Sequence, residues 1–428
     1  MHLGTLNLTA LLLELFRGTI QCAATDDRAK WDWAMLVGDA WEAHGSLVAG
    51  AHPYLPGCYD RAPRNPAEKI NSGYKSWEYL IYVFVLGPAV FRPWVPAKYW
   101  THFCKLVAVM RRFFQRKISR LQLLQARRLV LEYVVEFELL YCRRRADRIH
   151  FVRPVVHGLI HLPEQVTLKG PLPGHSQYVM ERTIGNLGEE IKQDSRAYAN
   201  LSERALYRCQ ANTMKAILPE LAPDSYCLPR GAIDLGNGYI LLRALDHTAR
   251  SITSSEERAL QIFIDERTAG SGISDCRGIR VHRWARLRLP CGQTARSLWK
   301  EGKKPLSDVR MSRNVKVYLD GCFRYGEVQY YIMMKSGGET IGLAMISLLS
   351  PPDAELLTRS HGTLYACTHG GQDSLIVTCV KSIRSVVAVI PMMELLGEEC
   401  EVQRFFVAEK PGMEWDLMSD QIEALTAV

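Results

Sequence analysis

The feature that most constrains this chain is a change of periodicity part-way along it. Up to about residue 220 the apolar residues recur on a helical period, and from Arg280 onward they alternate in short runs. The run at 6–20 reads as a helix, and Thr25-Asp26-Asp27 can cap a following one that carries Trp31, Trp33 and Trp41. Further helices are predicted over 68–86, ending at Gly87-Pro88, and over 96–115, opened by Pro96. Ser119 is the expected N-cap of a helix to Tyr141, with Leu123, Leu124, Val130, Val134 and Phe137 available for its buried stripe. Pro154 starts or kinks a helix bearing two histidines, 163–176 reads as loop, and helices follow over 180–192 and 201–218.

The second half has another grammar. A short strand over 239–245 and a helix capped at Ser254 or Ser255 lead into VHRWARLRL, NVKVYLD, EVQYYIMMK, IGLAMISLL, SLIVTCV, SVVAVIP and QRFFVAEK. Seven or more short strands imply a small barrel or an open sandwich. The fold class is therefore α+β, a mostly helical N-terminal half followed by a small β-rich part. Expected boundaries are 1–220 for the helical domain, 221–275 for a linker with a short strand and helix, 276–412 for the β-rich domain and 413–428 for a tail. Hydrophobic residues make up 47% of the 428, enough to bury cores in two or more domains.

The formal charge of +8 is unevenly spread. Between Arg92 and His150 stand 14 lysines and arginines against four acids, and between Arg277 and Arg324 stand 13 against three. Each block carries ten net positive charges, so the rest of the chain is acidic. Such blocks suit a phosphate backbone, and equally suit two solvated faces. The 12 cysteines are scattered with no CxxC pair, which argues against a zinc ribbon and against a secreted disulfide framework. The apolar run at the N-terminus lacks a basic start and contains Glu14, and the run over 79–91 is too short for a bilayer and is broken by Gly87-Pro88. A soluble nuclear or cytoplasmic protein, neither secreted nor membrane-bound, is expected.

Chemistry-bearing residues concentrate in 146–193, ADRIHFVRPVVHGLIHLPEQVTLKGPLPGHSQYVMERTIGNLGEEIKQ. His157 and His161 are four apart, the spacing of one helix face, with His175 as a possible third ligand. Gly158 follows the first histidine where a zinc protease needs Glu, so the plainer reading is two histidines packed between helices. Glu181, beside Arg182, opens the next helical pattern, and reads either as a metal-holding carboxylate or as an acid favoured near a helix N-terminus and paired with Arg182. Arg143, Arg144, Arg145 and Arg148, with Arg111, Arg112, Arg116, Lys117, Arg127 and Arg128, read as a phosphate-binding surface or as cations at a helix C-terminus. Arg283, Arg286 and Arg288 around Trp284 read as one basic strand face, or as an ordinary solvent face.

That stretch, together with GYKSWEYLIYVFVLGPAVF (73–91), KYWTHFCKL (98–106) and RIHFVRP (148–154), resembles the C-terminal part of CACTA-type (En/Spm-like) DDE transposases of fungal genomes. The resemblance runs from Leu6 to about Gly412, carried by the order and spacing of the segments. It implies an RNase H-like fold with three carboxylates, of which Glu181 is the candidate late Glu, and chemistry on DNA phosphodiesters with two Mg²⁺ ions. The two earlier aspartates would lie upstream of Met1, because Asp26, Asp27, Asp32, Asp39 and Asp60 look like caps, helix faces or loop, not strand residues. The expectation is thus a truncated or decayed transposase, catalytically incomplete, with no cofactor of its own, retaining DNA binding and meeting copies of itself or other transposase subunits. The alternative is a protein-interaction module with a chromatin-reader-like barrel on a helical scaffold, and a third reading is a metalloenzyme at His157, His161 and His175.

Overall fold

The structure, a computed structural model, describes residues 2–59, 61–191, 194–221, 228–267, 278–336, 339–393 and 402–412. The tail expected over 413–428 lies outside the described residues, as does Asp60. Helices of eight or more residues are α1 (Leu8–Phe16), α2 (Asp39–Gly50), α3 (Ala97–Phe113), α4 (Arg120–Phe137), α5 (Leu162–Lys169), α6 (Gln177–Glu189), α7 (Ala197–Ile217) and α8 (Ser254–Arg267). No described residue before Ile233 lies in a strand, so the early aspartates sit on none.

Local rules place most helix ends. Pro96 precedes α3, and Ser119 caps α4 through a box in which its Oγ accepts from Gln122 N (3.1 Å) and Gln122 Oε1 accepts from Ser119 N (2.9 Å). Other ends differ from expectation. The helix expected over 68–86 is broken into Pro66–Lys69 and Ser76–Tyr79, and the second continues as Leu80–Leu86 through Gly87-Pro88 to Val90. Pro88 sits in the first turn of that last piece, where a missing N–H costs nothing. Pro163 does the same for α5, which occupies part of the expected loop. Thr253, not Ser254 or Ser255, caps α8: its Oγ1 accepts from Glu256 N (3.4 Å) and Glu256 Oε2 accepts from Thr253 N (2.7 Å).

Fourteen strands are described: β1 (Ile233–Asp234), β2 (Ile240–Leu241), β3 (Arg250–Ser251), β4 (Arg280–Val281), β5 (Arg286–Arg288), β6 (Thr294–Arg296), β7 (Asn314–Leu319), β8 (Cys322–Ser336), β9 (Glu339–Leu348), β10 (Tyr365–Cys367), β11 (Leu375–Cys379), β12 (Ile383–Val386), β13 (Ala388–Pro391) and β14 (Phe405–Ala408). They pair antiparallel in four sheets, ordered β1-β2-β5-β6, β11-β9-β8-β7-β12, β10-β14-β13 and β3-β4. No sheet closes into a barrel among the described residues. The five-stranded sheet shares one face with the four-stranded sheet through Leu241, Leu287, Val315, Val317 and Tyr331, and packs α8 on the other through Leu260, Ile332 and Leu343. A register shift between Val328 and Tyr330 changes which β8 side chains face each core.

The sequence split near 220 separates helices from strands but not their cores. Leu364, Ala366, Ala388, Ile390 and Phe406 of the β10-β14-β13 sheet belong to the same buried cluster as Phe16, Tyr82, Phe103 and Val107 of the helical half. Tyr59 Oη donates to Ala408 O (2.6 Å) and Met311 N donates to Pro53 O (2.8 Å) across the same junction. The expected linker likewise joins the β-rich part, supplying β1 and β2 to its four-stranded sheet and α8 to its second core.

Candidate nucleic-acid interface

Four arginines of the helical block are spent on the fold. Arg111 is buried, its Nε donating to Phe84 O (2.6 Å) and its Nη atoms to Thr363 O (2.7 Å) and Val85 O (3.0 Å); burial lowers its pKa to about 9. Arg148 is buried against Asp26, with Nε and Nη2 reaching the two carboxylate oxygens at 2.7 and 2.6 Å. This bidentate pair, first of all, holds the Asp26 carboxyl below its ordinary range. Neither guanidinium reaches solvent, which removes Arg111 and Arg148 from the candidate DNA-binding residues. Asp26 is correspondingly a buried ion-pair partner and not a cap; Asp27 is the cap, accepting from Ala29 N (3.0 Å).

Arg143 and Arg145 are exposed at their edges but committed. Arg143 donates to Asp32 and to Tyr99 Oη (2.7 Å), and Arg145 holds Asp147 at 2.6 Å. Burial, which would raise Asp32, is outweighed by hydrogen bonds from Lys98 and Tyr99 and by the Arg143 charge, leaving it at about 2. Asp32 thus belongs to an ion-pair network between a turn and α3, not to a helix face. Arg116, Lys117, Arg127, Arg128 and Arg144 are exposed, Arg112 is half-buried, and Arg128 lies 3.5 Å from Glu132 one helical turn away.

The carried-over catalytic position is isolated. Glu181 lies exposed in α6, and neither it nor the exposed Arg182 has a described partner, so the expected ion pair between them does not form. His157 ends a short helix (Pro154–Gly158), and His161 ends the 3₁₀ turn that follows; both are exposed, with their Nε2 atoms 3.2 Å apart. They touch each other in solvent and are not packed between helices. His175 is turned to Gly170 O (3.0 Å). Among the described residues no three His, Cys, Asp or Glu gather, so the residues around Glu181 do not fit a pair of Mg²⁺ ions, which needs several hard oxygen ligands.

The basic strand face has a different outcome. Arg283 leaves it: half-buried, it reaches Asp246 (3.3 Å) and lies over Trp299 (5.0 Å). Arg286 and Arg288 alternate with Leu287, which is fully buried, as strand geometry requires. The partner strand β6 returns after a turn at Cys291-Gly292, where Gly292 takes a φ of +81°. In that register Arg286 stands directly opposite Arg296, and Arg288 opposite Thr294. Facing like charges are unfavourable on an antiparallel pair. Arg286 has no described hydrogen bond or ion pair, and Arg296 has only a distant contact (3.9 Å) with Glu301. Glu301 is buried, which foremost raises its pKa, and accepts from Ser312 N (3.2 Å).

Two clefts flank Arg296. One, of about 260 Å³, is lined by Arg286, Arg296, Lys300 and Lys304 with Glu301. The other, of about 530 Å³, opens between the helical and β-rich halves and is lined by Cys58, Gln293, Arg296, Lys304, Asp308 and Arg310. Arg310 is anchored on Leu55 O and Pro56 O (3.0 Å each). Burial pushes the Cys58 thiol up to about 11. Gln293 is buried, its Oε1 accepts from Val386 N (2.7 Å), and its Nε2 has no acceptor among the described residues. The cations lining these clefts, a buried amide donor and few carboxylates suit anions.

Arg296, Lys300, Lys304 and Gln293 were not singled out from sequence. They lie in β6, the helical turn Leu298–Glu301 and the flanking loops, and the register of β5 on β6 sets Arg286 opposite Arg296. No known protein family, curated protein or solved structure matches the chain.

Proposed function

We infer that this is a transposase-derived protein whose working activity is binding the phosphate backbone of DNA, through the cleft walls at β5, β6 and the helical turn Leu298–Glu301. One observation carries the reading: Arg286 and Arg296 face each other across a strand pair at the rim of a cleft. An anion between them turns a repulsion into two charge-assisted hydrogen bonds. Lys300 and Lys304 extend the same surface, so successive phosphates find successive cations. Contacts of this kind position a duplex and carry little sequence information. Glu181 has no catalytic role in this reading, which leaves DNA cleavage aside.

The test is fluorescence anisotropy on a labelled duplex over a salt series. Each phosphate contact contributes about −0.9 to the slope of log K against log salt. Arg286→Ala with Arg296→Ala should flatten the slope by roughly two units and weaken all sequences alike, whereas Arg143→Ala with Arg145→Ala should leave it within about half a unit. An unchanged slope in the Arg286/Arg296 variant would defeat the reading and favour the interaction-module alternative.

A further inference from the structure

Among the described residues, the hairpin of α6 and α7 is the long helical pair that no core claims. Its helices pack on each other, with Arg208 on Glu190, and Tyr178 Oη meets Ser76 Oγ (2.7 Å) at its root. No described side chain of either helix is buried. In α3, by contrast, 13 of 17 residues are buried. Yet both hairpin helices carry apolar stripes. Met180 and Ile184 are 63% and 58% exposed, and Leu206, Tyr207, Met214 and Ile217 are 55%, 53%, 53% and 70% exposed. Met180 and Ile184, Leu206 and Ile217, and Tyr207, Met214 and Ile217 are separated by sums of threes and fours, the spacing of a helix-packing seam. Two helices alone make no core, and an amphipathic face in water needs a partner layer.

Charge says which partner. The segment 177–190 holds Glu181, Glu189 and Glu190 against Arg182 alone, while α7 holds Arg204, Arg208 and Lys215 against Glu203. One helix is net acidic and the other net basic. A twofold axis that sets α6 of one copy against α7 of the next pairs opposite signs on both sides. The six stripe residues leave on the order of 600 Å² of apolar side chain in water, near the ~800 Å² per partner of a standard interface. We propose that the α6–α7 hairpin is a homodimerisation arm, two copies of which close a four-helix bundle with Met180, Ile184, Met214 and Ile217 in its core. This does not depend on the DNA-binding reading.

Sedimentation of the full chain over a concentration series tests it. The parent should dimerise, and Met214→Lys with Ile217→Lys should sediment as a monomer with the parent's helical circular dichroism, since both positions are exposed in the single copy. Met214→Ala with Ile217→Ala, which preserves helix propensity, should raise the dimer dissociation constant at least roughly tenfold. A monomeric parent, or a dimer indifferent to both pairs of substitutions, overturns the proposal. So does a dimer that is lost instead on Leu131→Lys, which would move the interface to the exposed Leu121, Leu124, Leu131 and Val135 of α4.

Discussion

Two blocks of the sequence carry the same net charge, and the arginines singled out in each meet different fates. In the helical block, Arg111 and Arg148 are drawn inside and Arg143 and Arg145 are tied to Asp32 and Asp147. In the β-rich block Arg286 and Arg296 stand face to face at a cleft rim, joined there by Lys300 and Lys304. The difference lies in the acids. Asp26 and Asp32 belong to the turns before α2, far from the arginines in sequence and adjacent in space. The two acids of the second block's cleft, Glu301 and Asp308, are fewer than its cations, and Glu301 is turned inward to Ser312 and Arg313. A count of charges along a chain therefore gives an upper bound on the charge a surface can show.

The sharpest way to break this comparison is at its most buried member. Arg148→Ala leaves the Asp26 carboxylate desolvated without its bidentate partner, at a cost of about 3–5 kcal/mol. A loss of that size removes much of a domain's stability and should lower the melting temperature markedly or abolish soluble expression. Asp26→Asn with Arg148→Met should recover part of it. Arg286→Ala should stay within about 0.5 kcal/mol of the parent. A parent-like melting curve for Arg148→Ala would mean that the first block is solvated after all.

Acid sharpens the same contrast. His44 and His102 are buried in the helical half, His44 between Val90 O (3.1 Å) and Tyr82 Oη (2.7 Å), His102 on Tyr133 O (2.9 Å) with its ring stacked on Tyr133. Burial lowers His44 to about 3 and His102 to about 4, from 6.5. Below pH 6.5 the unfolded chain takes up protons that the folded chain refuses, so stability is complete above that pH and is lost as pH falls toward 4. Each histidine contributes about 1.4 kcal/mol per pH unit in that window. His102→Gln should reduce the pH slope of unfolding free energy by close to one proton. The clefts contain no histidine among their lining residues, so the DNA affinity of the folded fraction should vary little over the same range. An unaltered slope in His102→Gln would show that this ring is protonated in the fold.

What sequence could convey follows the range of the interactions. The α+β class, the Ser119 capping box and the Pro96 helix start depend on neighbours within a few residues, and all are as expected. Arg286 was visible as a strand cation for the same reason. The Asp26–Arg148 pair joins residues 122 apart, and nothing local distinguishes Arg148 from Arg144. The β10-β14-β13 sheet joins the helical core because the faces of Ala366, Ile390 and Phe406 match it, which alternation alone cannot tell from a face packed on another sheet. Pro163 read as a loop residue because a proline that breaks a helix and one that starts it look alike until the chain's direction is known.

The smallest expected effect tests the residue between the two committed arginines. Arg143 and Arg144 both take left-handed backbone, at φ of 52° and 56°, a conformation that costs a residue with a Cβ about 1–2 kcal/mol. At Arg143 the strain is offset by the contacts to Asp32 and Tyr99 and by the guanidinium lying 4.9 Å over Trp33. Arg144 is exposed, with no described partner. Arg144→Gly should therefore stabilise the fold by about 0.5 kcal/mol, the relief of strain less the greater freedom glycine has when unfolded. Arg143→Gly relieves the same strain but forfeits the network, and should destabilise. If both glycine variants shift the denaturation midpoint in the same direction, Arg143 is no more committed than Arg144, and the helical block returns as a candidate surface.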